Sequence, residues 1–388
     1  MTLLVYKNLL IYFKKLIIVI SRRNLLIFLI STSLIMAGCA TQITKKITIK
    51  IDQNAVANAK YVEFIYVENN LQKINYLNKI NADNGIPLPK LECKQTPWSG
   101  GFVDSRGAWI WKSSLLLNNY ELAKHFFHDA SIHKINRIYL QIHADIDQYE
   151  PLLKMAKNEN IQIYALAGDP DYINKQQSVL ALIDGVLRFN ANHLVRFSGI
   201  QLDVEPYALP DYGNHEKEIL SRYLDLVRAV KKHIAGRILF GFAVPFWFDQ
   251  KSVSGVNLMA SIIRESDFVA IMSYRTSNDQ ILLIANNALC YGEKFDKPVY
   301  LGIELTRIPD EVHFIFRSSA LLPYIHNSNL TREPTDGLPY IKKTVILGSR
   351  ISFYPNPKKA FSMTEQVVPY QSFSGWIFNG LDETWMYD

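Results

Sequence analysis

Near the middle of the chain, Gly199-Ile200-Gln201-Leu202-Asp203-Val204-Glu205-Pro206 sets two carboxylates two positions apart. Side chains alternate faces along a strand, so Ile200, Leu202 and Val204 share an apolar face and Gly199, Gln201, Asp203 and Glu205 a polar one. The Cα atoms of Asp203 and Glu205 then lie ~6.6 Å apart. Carboxylates that close cannot both ionise freely, which lifts one toward the range of a general acid. Another acid, Glu304, closes the run Val299-Tyr300-Leu301-Gly302-Ile303-Glu304, on the face of Tyr300 and Gly302. Gln141 and His143 end a further run on one face, with Leu140 and Ile142 on the other, and suit sugar hydroxyls. A general acid with a neighbouring carboxylate is the equipment of glycoside hydrolysis. Retaining enzymes hold the two carboxyls ~5–5.5 Å apart and inverting ones ~6.5–9.5 Å.

These residues need a scaffold that brings strand ends together. Apolar, β-rich runs recur at Gly107–Trp111, Arg137–His143, Ile161–Ala167, Gly199–Glu205, Ile238–Trp247, Phe268–Tyr274, Pro298–Leu305 and Ser374–Phe378. Helical stretches separate them: Tyr120–Ala130, Tyr149–Asn158, Ser178–Asn190, Glu216–Ile234, Val256–Glu265 and Gln280–Tyr291. This alternation predicts an α/β protein, a closed (β/α)8 TIM barrel over residues 106–388, whose strand C-termini open into the active site. No Gly-rich phosphate loop follows the first strand, which disfavours an open doubly wound sheet. After the seventh strand a proline-rich insertion, about 306–373, reads as a lid or cleft wall with a final helix near Lys358–Val368. Residues 39–105 read as a tether followed by a small helical or irregular lead-in.

Residues 1–38 read as a targeting segment. Arg22 and Arg23 precede the apolar stretch Asn24–Ile35, and Met36-Ala37-Gly38-Cys39 resembles a bacterial lipoprotein box with Cys39 as the lipidated residue. The alternative is an uncleaved anchor over residues 9–35. Either places the body outside the cytoplasm, lipid-anchored in the cell envelope; with Ala40 after the cysteine, the outer membrane is the expected address in a Gram-negative cell. The formal charge of +6 misleads. Five of the 42 bases lie in the leader, which has no acid; the remaining 37 bases face 36 acids. A near-neutral body without a basic stripe argues against nucleic acid. Cys93 and Cys290 are either one disulfide or two buried thiols. No Cys/His spacing marks a metal site, and no cofactor is expected.

Ser198 to Glu205 resembles the fourth-strand signature Asp-Gly-x-Asp-x-Asp-x-Glu of chitinase-type glycoside hydrolases, family 18. The last Asp and the Glu are kept, as Asp203 and Glu205; Ser198 and Gln201 replace the first two acids. The resemblance implies that Glu205 protonates the glycosidic oxygen and that Asp203 orients a substrate acetamido group acting as nucleophile. Met272-Ser273-Tyr274 is similar to the family's sixth-strand Met-x-Tyr-Asp, so Tyr274 would help hold that group, with Arg275 where the family has Asp. Ala243-Val244-Pro245 is similar to its fifth-strand Ala-x-Pro. Trp376 on strand eight falls where the family places a Trp beneath the sugar ring.

The residues predict an extracytoplasmic glycoside hydrolase-like barrel acting on a polysaccharide. Glu205 is its acid, and Asp203, Glu304 and Tyr274 complete the catalytic set. Gln201, Trp376, His143, Gln141, Arg275 and Trp109 are the substrate-binding candidates. Glu304 has two further readings: nucleophile of a retaining enzyme, since many barrel glycosidases carry an acid at the end of strand four and a nucleophile at the end of strand seven, or structural ion-pair partner of Arg275 or Arg307. A sugar-binding or scaffold lipoprotein of the envelope is the non-catalytic alternative.

Overall fold

The computed structural model describes residues 51–68, 70–77, 91–93, 105–325 and 340–382. The leader, Cys39 and the tether up to residue 50 lie outside them.

Eight parallel strands close a barrel in chain order: β3 (Arg106–Ile110), β4 (Ile135–Gln141), β5 (Gln162–Ala167), β6 (Gly199–Asp203), β7 (Leu239–Pro245), β10 (Phe268–Met272), β11 (Val299–Glu304) and β14 (Phe373–Asn379). Between β7 and β10 lies a two-residue-strand hairpin, β8 (Ser252–Val253) with β9 (Val256–Asn257). Helices follow the barrel strands: α2 (Ser113–Asn118) and α3 (Tyr120–Ile132), α4 (Glu150–Asn158), α5 (Gln176–Asn192), α6 (Tyr212–Ile234), α7 (Leu258–Glu265), α8 (Asn278–Phe295) and, before β14, α10 (Pro357–Met363). This is the (β/α)8 TIM barrel.

Strand residues sort by parity into two cores. Outward-facing Ile200, Leu202 and Val204 are buried with Ile219, Leu220 and Leu224 of α6, in one layer running round the barrel. Inward-facing Trp109, Tyr139, Tyr164, Leu166, Phe268, Tyr300 and Ile377 fill the interior. Such large rings fit only because small residues oppose them. A Cβ on Gly199 would stand 2.4 Å from the Tyr164 ring, and one on Gly241 2.5 Å from Phe268.

The lead-in departs from expectation. After helix α1 (Gln53–Asn58), Tyr61–Val67 and Asn70–Leu77 form strands β1 and β2. They join β12 (Glu311–Arg317) and β13 (Tyr340–Ile346) from the insertion in one antiparallel sheet ordered β13-β12-β1-β2. The expected lid is thus largely half of a separate sheet, which also carries helix α9 (Ser318–Ile325). Val62, Phe64 and Tyr66 alternate inward onto Val56, Phe314, Phe316 and Leu321. The period was hard to read because Tyr61, Ile65 and Val67, on the opposite face, are also apolar, and because β1 pairs with a strand about 250 positions away. Loop-forming signals around β1 and β2 could not reveal such a partner.

Cys93 and Cys290 are bonded, closing a loop across a separation of 197 residues. Leu91 is pinned beside them: its N–H donates to Asn287 Oδ1 at 2.9 Å and its carbonyl accepts from Asn286 Nδ2 at 3.2 Å.

Candidate active site

The barrel brings Asp203, Glu205, Tyr274 and Glu304 to its C-terminal mouth. Asp203 ends β6 beside Ala243 of β7. Its Oδ1 is buried and without a hydrogen-bond partner among the described residues. Burial and, after it, the charge of Glu205 push its carboxyl well above the ordinary aspartate range. An isolated buried carboxylate is costly, and this favours the protonated form. Gly168, after β5, is the floor against which Asp203 rests: a Cβ there would meet the Asp203 carbonyl at 2.7 Å and its Cβ at 3.3 Å.

Glu205 leaves the strand and begins a single 3₁₀ turn, Pro206–Ala208. Within that turn Tyr207 donates its phenolic O–H to Glu205 Oε1. Tyr207 packs edge-on against Trp247, ring centroids 5.1 Å apart, and Trp247 against Phe248 at 4.8 Å. Burial and then the Glu205 charge raise Tyr207, so it remains a donor. Tyr274 is half-buried against the inner core; burial, then the charges of Glu304, Asp203 and Glu205, raise its hydroxyl in the same way.

Glu304 is 1% exposed. Its Oε1 accepts from the Thr306 N–H at 2.7 Å and the Thr306 hydroxyl at 2.6 Å, and its Oε2 from Asn379 Nδ2 at 2.7 Å. Burial raises its carboxyl and these donors oppose the rise. The suggested arginine partners lie elsewhere. Arg307 pairs with Glu68 at 2.6 Å. Arg275 lies over the Phe246 ring at 5.1 Å and donates to the Tyr274 carbonyl at 2.6 Å.

Three of the six substrate-binding candidates sit differently from expectation. Trp376 faces outward: its ring is 1% exposed and packs on Phe373 at 5.2 Å, in the layer between barrel and helices. Its register partner is the outward Leu301, and the inward position is taken by Ile377. The cause is the irregularity where β14 meets β11, beside Gly375 at φ +136°, which shifts the parity of the strand. Trp109 (2% exposed) and Gln201 (0%) face inward but lie below the opening, joined by a 2.5 Å bond from the indole Nε1 to Gln201 Oε1. They support the mouth from beneath. His143 is exposed just past β4, where its backbone N–H donates to the Tyr149 hydroxyl at 3.1 Å. Gln141 is half-buried at the end of that strand.

Tyr207, Asn379, Thr306 and Asp382 went unmarked in the sequence. Asp382 Oδ2 accepts the backbone N–H groups of Trp111 and Lys112 at 3.1 and 3.2 Å, tying the end of the eighth strand to the first. Asn379 lies opposite Glu304 across two adjacent strand ends, one residue beyond the run Ser374–Phe378 read from the sequence. Among the described residues no group of acids, histidines and cysteines is placed to hold a metal.

No protein-family profile matches the chain, and no curated protein matches it. Solved structures do resemble it in outline. A β-1,3-glucanosyltransferase of Rhizomucor miehei aligns over 53% of this chain and 74% of its own at 15% identity, TM-score 0.35. A GH99 endo-α-mannosidase of Bacteroides thetaiotaomicron aligns over 74% and 85% at 10% identity, TM-score 0.42. An endo-β-N-acetylglucosaminidase of Cordyceps militaris aligns over 73% and 83% at 11% identity, TM-score 0.39.

Proposed function

We propose that this barrel is an extracytoplasmic glycoside hydrolase with Glu205 as general acid. The observation that carries the reading is the placement of Asp203 at the end of β6 and Glu205 at the turn that follows it, at the C-terminal mouth of the barrel, where the charge of each acts on the Tyr274 hydroxyl. Glu205 delivers a proton to the glycosidic oxygen as the bond to the anomeric carbon breaks. The carbonyl oxygen of a neighbouring acetamido group closes on that carbon, with Asp203 accepting the amide N–H and Tyr274 holding the amide oxygen. Water then opens the cyclic intermediate and returns a proton to Glu205, which completes the cycle. Glu304 takes no covalent part: its two oxygens already accept three hydrogen bonds and it is 1% exposed. Lipidation at Cys39 would hold the enzyme on the envelope, at the outer membrane in a Gram-negative cell. The Cys93–Cys290 bond fits an oxidising compartment.

Aryl glycosides with and without an N-acetyl group test the reading. The protein is expected to turn over the N-acetylated ones alone. Glu205→Gln should lose ~10²–10⁴-fold in kcat, the range of general-acid catalysis. Glu304→Gln should lower kcat by less than about tenfold, because Asn379 can turn its amide to meet the new one. Equal turnover of both substrate types, or a Glu304→Gln loss as large as that of Glu205→Gln, overturns the acetamido route in favour of a Glu304 nucleophile.

A further inference from the structure

One oxygen of Glu205 is already in use. Its Oε1 accepts the hydroxyl of Tyr207, two residues ahead in the turn Pro206–Ala208. The Tyr207 ring is backed by two others: it stands edge-on to Trp247, centroids 5.1 Å apart, and to Phe248 at 6.2 Å. Those rings belong to a second 3₁₀ turn, Phe246–Gln250, directly after β7. Phe248 is fully buried, with Tyr223 of α6 at 5.9 Å. The Lys251 ammonium lies over the Trp247 ring at 5.7 Å and pairs with Glu216 of α6, which also accepts the Tyr212 hydroxyl at 2.8 Å. Asp249, in the same turn, accepts from Asn287 of α8 at 3.0 Å. The turn is thus fastened to both α6 and α8, and its two aromatic rings hold the phenol that meets Glu205. Glu205, Asp203 and Tyr274 are the titratable groups that act on Tyr207; each adds to burial in raising its hydroxyl, which keeps it a donor.

We propose that Tyr207 is the positioning residue of the acid: it fixes the Glu205 carboxyl so that Oε2 carries the proton to the glycosidic oxygen. A neutral carboxyl has one carbonyl oxygen and one hydroxyl. The oxygen that accepts the phenol is the carbonyl one, so the proton sits on the other. As that proton passes from Oε2 to the glycosidic oxygen and the bond to the anomeric carbon breaks, the carboxyl becomes an anion and the Tyr207 bond becomes charge-assisted and stronger. An interaction that strengthens during the step is one that speeds it. When water opens the intermediate, its proton returns to Oε2 and the Tyr207 bond weakens again. The inference rests on reading Glu205 as the acid.

Tyr207→Phe in the full chain keeps the ring and removes the donor. On the aryl glycoside that the wild type turns over, kcat should fall roughly ten- to hundredfold with KM within about twofold. A carboxylate that loses a donor is disfavoured, so the acid keeps its proton to higher pH and the alkaline limb of the kcat profile should move up by roughly one pH unit. The carboxyl carbon resonance of Glu205, read in protein carrying isotope-labelled glutamate and assigned by its absence from Glu205→Gln, should titrate at correspondingly higher pH. A variant that is slower with limb and resonance unmoved shows a merely structural tyrosine and overturns the inference, as does one that matches the wild type. If Tyr207→Phe does not fold, the wild type decides: a low-field hydroxyl proton resonance that Glu205→Gln lacks supports the bond, and its absence from the wild type overturns it. A carboxyl titration that moves in a protein hydrolysing no glycoside removes the hydrolase reading and leaves Tyr207 orienting Glu205. Glu205-dependent hydrolysis with an unmoved titration does the reverse.

Discussion

Asp203 and Glu205 show why neighbouring acids on one strand end can differ in role. Asp203 is enclosed, with an unpartnered oxygen, while Glu205 has stepped off the strand to meet a phenol. The step depends on Pro206 and Tyr207, and the seat of Asp203 on Gly168. Gly168→Ala would force a methyl group into the Asp203 backbone at 2.7 Å and the Trp111 ring at 3.1 Å. It should cost ~1–3 kcal/mol of stability, as overpacking does. It should also cut turnover more than the same stability loss introduced elsewhere, for example by shortening an outer-layer isoleucine such as Ile262→Val. Chemical denaturation with parallel assays separates the two effects. Asp249 offers a cleaner titration. Burial lifts it to about 6, and Asn287 donates to its Oδ2 at 3.0 Å while its Oδ1 has no hydrogen-bond partner among the described residues. A carboxyl raised on folding holds its proton in the native state when the unfolded chain has lost it. Its favourable contribution is present below the unfolded value near 4 and disappears as pH climbs to about 6. Asp249→Asn keeps an oxygen for Asn287 and removes the buried charge. Its melting temperature should therefore exceed wild type above pH 6 and converge with it near pH 4, as scanning calorimetry across that interval would show.

At the level of elements, the barrel strands were the legible part. Each runs as a continuous or alternating apolar stretch, the first six followed by a helix, so all eight could be placed from period. The catalytic candidates were legible for the same reason, since a residue at the C-terminal end of such a strand has few other places to go. Trp376 was misread because one irregular residue pair reverses which side of the strand faces inward, a change of parity that composition does not announce. The four-stranded sheet was missed because its pairing is long-range. Its outer face carries His313 between Glu63 and Glu311, at 3.1 and 3.2 Å. Burial disfavours the charged ring, yet the two glutamates outweigh it and raise His313 to about 9. A base raised on folding stabilises fully below its unfolded value of 6.5, and that stabilisation is lost as pH rises through about 9. The sheet should therefore exchange its amide hydrogens faster at pH 9.5 than at pH 6, beyond the intrinsic rate change. His313→Gln should flatten the difference while the barrel strands exchange as before.

For the molecule as a whole, the disulfide is the one covalent link between the lead-in and the barrel other than the chain itself. Closing a loop of that length restricts the unfolded chain by roughly 5 kcal/mol in the chain-entropy account. Reduction, or Cys93→Ser with Cys290→Ser, should lower the unfolding midpoint and release the Leu91 contacts first, and limited proteolysis between the small sheet and β3 would detect that order. Unchanged resistance after reduction would mean that Leu91, Asn286 and Asn287 hold the segment without it. Sequence could state the two cysteine options and no more, because pairing depends on the fold placing a lead-in residue beside α8.

The four-stranded sheet is assembled from a hairpin that precedes the barrel and a hairpin that interrupts it near its end. During synthesis, β1 and β2 must wait for roughly 230 further residues before β12 emerges to receive them. Once they are joined, a pull applied upstream of residue 51 is borne first by the antiparallel seam between β1 and β12, and from there reaches the loop beside Glu304. If the chain is held by its front end, as proposed for Cys39, that load passes through a buffer sheet before it reaches the staves that hold Asp203 and Glu205.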